Sequence, residues 1–413
     1  MKKINLAALV LAATALGAGA AWAADGNIPV GHIADLTGAT SSVGKPYGAG
    51  VADAMNYLNA HGGVAGKKLQ FETIDYAYEV PRAMSAYKKL LADDKVVAIQ
   101  GWGTSDTEAL SAVVAKDQIP YFSASYSGHL TDPQGKTSAR AAPYNFFYGP
   151  SYSDACRGLV QWAAEDWKKK GGKGKPKFVH MGDNHPYPNS PKAACGAYAQ
   201  ELGFDIVPEI QYSLKPGDFK AQCLSLKESG ANYAYLANTS GSTISLLKSC
   251  ETVNVQTQFM GNIWGMDEPS LKAAGSAADR MVWVVAAATW TDDAPGMKLV
   301  REISKMSDPT GSEARPVHYI RGICSVYYMK EAMEIAAKNG PLTGPSIKAA
   351  MYVKKDWVPA GLEGVCLSST WKDDDHRGTT KVMVYQASIK GSDISMKKIF
   401  TADIERRKEW LGW

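Results

Sequence analysis

Trp102, Gly103, Thr104 and Ser105 follow the apolar run KVVAIQ and open a helical pattern that continues to Val114. A glycine lets a ligand approach the backbone, and two hydroxyls stand beside it. A helix start also presents free N–H groups and a partial positive charge. Together these could cradle a carboxylate without help from Arg or Lys. The bland alternative is that Ser105 and Glu108, at capping-box spacing, merely start a helix. The stretch lacks the lysine of a phosphate-binding loop, and GxxxxGK[ST] occurs nowhere in the chain. GxSxG and HExxH are also absent. His180, Asp183 and His185 fit no metal-ligand spacing, and Asp373–His376 reads as a solvated loop. None of the seven histidines stands out as a general base. Catalysis, a metal and a cofactor are therefore not expected.

Alternating elements must position these residues. IPVGHIADL, KLQFETID, KVVAIQ and IPYFSAS read as strands, separated by helices from about Pro46 to Ala60 and over VPRAMSAYKKLLADD. The rhythm repeats after FFYGPSYSD, through KPKFVHM, FDIVPEIQY, NYAYLA, QTQFMG and RMVWVVAAATW. A long helix is expected over 313–339, a short one at GPSIKAAMY and a late strand at KVMVYQASI. Strands alternating with helices imply an α/β fold with two doubly wound parallel-sheet lobes facing each other across a cleft. Ligands bind at the carboxyl ends of such strands. In the first lobe that edge carries Thr40, Ser41 and Ser42, then Tyr76 and Tyr78, then the opening stretch, then Ser123, Ser125, Tyr126 and Ser127. It is rich in hydroxyls and aromatics and poor in charge.

Lys2 and Lys3 precede an Ala/Gly-rich apolar stretch that ends in AWA at Ala23, the pattern of a cleaved secretory signal peptide. No later stretch approaches the length of a membrane span. Removing residues 1–23 takes away two lysines and no acid, so the net charge falls from +4 to +2. With no basic block, nucleic acid is not an expected partner. An exported chain with six cysteines suggests disulfides. Six cysteines allow 15 pairings in principle. Cys156–Cys195, Cys223–Cys250 and Cys324–Cys366 each join neighbouring elements and are the expected pairs.

Several of these segments carry a family resemblance. GHIADLTGATSSVGKPYGAGVADAMNYLNAHGGVAGKKLQFETID, VVAIQGWGTSDTEAL and IPYFSAS, behind a signal peptide, resemble the type I periplasmic substrate-binding proteins, in particular the leucine/isoleucine/valine-binding branch that serves ABC importers. The resemblance implies two lobes joined by three hinge crossings, closing on a small molecule without catalysis. It also implies a monomer in the periplasm that delivers to a membrane permease. The lobes would comprise 24–148 with about 286–366, and 149–285 with about 367–413.

Carried over by position, the ligand carboxylate falls to Thr104 and Ser105 with Ser125 and Ser127, and an aromatic of the second lobe falls to Tyr187. A second aromatic of amino-acid-binding members is replaced here by Thr239. Their acid that holds the ligand ammonium is replaced by Ile263, followed by Trp264. An unpaired buried ammonium would cost several kcal/mol. The expected ligand is thus a small carboxylate without an amine. Trp102, Tyr126, Tyr187, Trp264 and Tyr76 could flank a flat ring, which favours an aromatic acid. An amino-acid or amide binder, with an acid supplied by Asp267 or Glu79, is the alternative in the same class. A ligand-sensing domain for a membrane receptor is the alternative in another class.

Overall fold

The computed structural model describes residues 26–413, Ala139 excepted. The expected signal peptide lies outside the described residues. The first sheet contains β1 (Ile28–Ala34), β2 (Leu69–Gln70), β3 (Thr73–Asp75), β4 (Ala98–Gln100), β5 (Tyr121–Ser123) and β6 (Asn145–Phe147). Its order is β2-β1-β4-β5-β6, with β3 also on β1, and every pairing is parallel. The second contains β7 (Lys177–Gly182), β8 (Asp205–Ile206), β9 (Ile210–Gln211), β10 (Tyr233–Leu236), β11 (Gln258–Gly261), β12 (Val282–Val285), β13 (Lys381–Lys390) and β14 (Asp393–Asp403). Its order is β14-β13-β12-β11-β10-β7-β8, with β9 on β7. It is parallel up to β12, where the antiparallel β13 joins. Strands such as β10 and β12 are buried along their whole length, as in sheets covered on both faces.

The helices are α1 (Ser41–Ala60), α2 (Val80–Ala92), α3 (Thr104–Asp117), α4 (Tyr152–Lys169), α5 (Pro186–Asn189), α6 (Lys192–Glu201), α7 (Lys220–Ser229), α8 (Ser240–Thr252), α9 (Glu268–Ala274), α10 (Met297–Ser304), α11 (Val317–Asn339) and α12 (Gly344–Ala350). The chain returns to the first lobe after β12, and α11 packs along α1. Two glycines permit that approach. A Cβ on Gly50 would lie 2.0 Å from the Tyr319 carbonyl oxygen, and one on Gly322 would lie 2.4 Å from that of Tyr47. Tyr148, just past β6, ties the hinge segments together: its hydroxyl donates to the Ala286 carbonyl and accepts from the Leu367 N–H at 2.7 Å.

All three expected disulfides form: Cys156–Cys195 joins α4 to α6, Cys223–Cys250 joins α7 to α8, and Cys324–Cys366 ties α11 to the hinge region. Other details differ from the sequence reading. α1 begins at Ser41 and not near Pro46, because Asp35 knits the preceding turn: it accepts from the Gly38 N–H (2.6 Å), the Thr40 N–H (3.0 Å) and the Thr40 hydroxyl (2.6 Å). Residues 371–376 dock on the first lobe. The His376 ring stacks on Phe146 at 4.5 Å and reaches the Asn145 carbonyl at 2.8 Å, while Trp371 packs 5.0 Å from Tyr328 of α11. The third crossing thus falls just before β13. β13 and β14 form a hairpin turning at Gly391, whose φ of +61° suits a residue without Cβ. Beyond β14 the tail reaches back to the first lobe, where the Gly412 N–H donates to Thr131 at 3.1 Å.

Candidate functional site

The strand ends of both sheets meet in a closed cleft. The Trp102 and Trp264 rings lie 4.9 Å apart across it. Ser105 and His185 Nε2 are 3.1 Å apart, Ser190 donates to Ser127 at 3.0 Å, and the Gly241 N–H donates to Ser42 Oγ at 3.3 Å. Between these contacts lies a small cavity of only about 10 Å³, hardly room for one water in this closed form. The first lobe lines it with Thr40 before α1, Tyr78 after β3, Trp102, Gly103 and Thr104 after β4, and Ala124 after β5. The second lobe contributes Tyr152 from the start of α4, Tyr187 from α5, Thr239 after β10 and Trp264 after β11.

Six of the residues expected to contact a ligand therefore line the cavity: Trp102, Gly103, Thr104, Tyr187, Thr239 and Trp264. The others stand behind it or beside it. Ser125 is buried behind Thr104 and donates to its hydroxyl oxygen at 2.8 Å. Tyr76 donates to Asp106 at 2.7 Å and accepts from the Gly103 N–H at 3.2 Å. Tyr126 is stacked on Phe147 at 5.2 Å in the aromatic core. Ile263 is buried and offers its carbonyl to Arg321 at 2.9 Å. Ser42, Ser105 and Ser127 make the cross-lobe contacts above, and Ser127 also donates to Glu108 at 2.7 Å. Because Glu108 serves Ser127, and α3 starts at Thr104 with Gly103 as its cap, the Ser105–Glu108 capping box does not form.

Thr40, Tyr78, Ala124 and Tyr152 line the cavity without having been expected to. Thr40 and Tyr78 sit in loops already placed at the strand ends, so position could have found them. Tyr152 lies beyond the first hinge crossing, where strand-end logic does not reach. Its hydroxyl accepts from Trp264 Nε1 at 3.1 Å, and burial pushes its pKa up to about 12.

Among the described residues, no charged side chain lines the cavity. Asp106 stands one layer back, and burial raises its carboxyl to about 7 against the lowering effect of the Tyr76 hydrogen bond. Three lining residues, Thr40, Gly103 and Thr239, are the N-caps of α1, α3 and α8, so three helices turn positive ends toward one small space. Behind Trp264, the guanidinium of the fully buried Arg321 stacks on the indole at 3.5 Å. Its hydrogen bonds go to the Ile263 carbonyl and to His318 Nδ1, while Nε and Nη2 have no partner. Among the described residues no group of His, Cys, Asp and Glu could hold a metal ion.

The profile of a family described as periplasmic binding protein matches residues 27–393. The chain belongs to that family. A crystal structure of an ABC transporter substrate-binding protein from Aeropyrum pernix is 25% identical, with a TM-score of 0.79 over 93% of this chain and 98% of that one. An amino acid binding protein of Pseudomonas aeruginosa is 24% identical over 57% of this chain and 60% of its own length. A Leu/Ile/Val-binding protein homolog of Brucella suis is 25% identical over 54% of this chain and 55% of its own length. The matches thus span little more than half of these curated relatives.

Proposed function

We propose that this protein captures a small carboxylate, an aromatic acid without an amino group, in its interlobe cleft and presents it to the permease of an ABC importer. The proposed setting is the periplasm, in keeping with the family and with the N-terminal pattern. The observation that carries the reading is the lining of the cavity. It offers hydroxyls, aromatic faces and three helix starts, and no carboxylate that could pair with an ammonium. Thr104 suits the head group: its hydroxyl oxygen already accepts from Ser125, which leaves its proton to donate. Trp102, Trp264, Tyr152 and Tyr187 suit a flat ring, with offset or edge contacts adding about 0.5–1.5 kcal/mol per pair.

An amino acid is the second reading, favoured by the names of the curated relatives and by Asp106, whose Oδ2 is buried without a partner. A thermal-shift panel of aromatic acids, aliphatic acids and amino acids separates the two. A guest at 100 times its Kd stabilises by about 2.7 kcal/mol. Stabilisation by benzoate-like acids is expected. Stabilisation by amino acids alone would reject the aromatic-acid reading.

A further inference from the structure

We infer that the cavity has a second acceptor-binding end at Thr239, so that its guest carries an oxygen acceptor opposite its carboxylate. The inference rests on the carboxylate reading and specifies it further. Thr239 caps α8, a helix of 13 residues, yet its side chain makes no capping bond to the amides of that helix. The hydroxyl is buried, with Thr239 only 2% exposed, and has no hydrogen-bond partner among the described residues. A threonine at a helix start ordinarily spends its oxygen on its own first turn, and a buried hydroxyl left unpaired costs free energy. Two of the first-turn amides are engaged elsewhere: Ser240 N–H donates to the Trp264 carbonyl at 3.0 Å and Gly241 N–H to Ser42 Oγ at 3.3 Å. The Thr239 hydroxyl is therefore a free donor at the positive end of a helix, on the wall of the cavity.

The two ends belong to different lobes. Thr104 and Gly103 start α3 in the first lobe, and Thr239 precedes α8 in the second. A guest with one acceptor satisfies one lobe only. A guest with two bridges both, so that closing the cleft completes its second hydrogen bond. The chemical class is a compact acid with a carboxylate at one end and a hydroxyl, carbonyl or second carboxylate oxygen at the other.

Titration calorimetry with benzoate, 4-hydroxybenzoate and benzene-1,4-dicarboxylate tests this on the whole protein. At least one two-ended acid should bind about tenfold more tightly than benzoate. Thr239→Val should abolish that preference, and Thr239→Ser, which keeps the hydroxyl, should retain it. A preference that survives Thr239→Val, or no preference in the wild type, overturns the second end. If benzoate binds and Thr104→Val weakens it while two-ended acids gain nothing, the carboxylate reading stands alone. If no acid binds, both fall.

Discussion

The Thr104 hydroxyl is held in place before any guest arrives, because Ser125 donates to it from behind at 2.8 Å. Thr104→Val removes a prepared donor and also leaves the buried Ser125 hydroxyl without an acceptor. The proposed carboxylate should then bind about tenfold more weakly, the equivalent of about 1.4 kcal/mol, in line with a hydrogen bond to a charged group. Calorimetry on the variant, with a melt to confirm that the lobe still folds, checks this; unchanged affinity would remove Thr104 from the site. At this scale the sequence was informative where a residue sits at a strand end. Trp102, Gly103 and Thr104 follow β4 and reach the cavity, as does Thr239 after β10. It misled where a neighbour competes for the side chain. Ser127 is drawn to Glu108 and Ser190, and Tyr126 turns into the aromatic core beside Phe147. Such choices depend on partners distant in sequence, which spacing does not reveal.

Between elements, the approach of α9 to α11 closes the lobes on the side of Trp264. Glu268, first residue of α9, accepts the N–H of Val317, first residue of α11, at 3.0 Å. Burial raises the Glu268 carboxyl from 4.5 to about 7 in the folded protein. Between those values the folded state holds a proton that the unfolded chain releases. Its contribution to stability is full below about pH 4.5 and is lost as pH rises through about 7. Glu268→Gln keeps an acceptor and removes the titration. Raising the pH from about 4.5 to about 8.5 should shift relative stability toward the variant by about 3 kcal/mol, measured by denaturant unfolding. A difference that does not change with pH would contradict the assignment. The elements themselves were largely legible, because buried parallel strands and amphipathic helices announce themselves by apolar runs and period. The first turn of α1 was not, since it depends on Asp35 binding Thr40 and Gly38. Nor was the docking of 371–376, which follows from single side chains, His376 and Trp371, and not from a repeating pattern.

As a whole, the molecule is a pair of lobes brought together so closely that little free space remains between them. Parallel topology sends the helix starts of both lobes to the same cleft, and the buried Arg321 stacks behind Trp264 without a direct ion pair among the described residues. Tyr148 holds the hinge segments in register through Ala286 and Leu367. The electrostatic sense of the assembly carries the central proposal, that the closed cleft takes an anion in preference to an amine. A cleft shut this tightly should retain its natural guest through purification. Mass spectrometry of the small molecules released when the purified protein is denatured tests the claim most directly. The expected result is a stoichiometric acid that contains no amino group. A stoichiometric amino acid would contradict it.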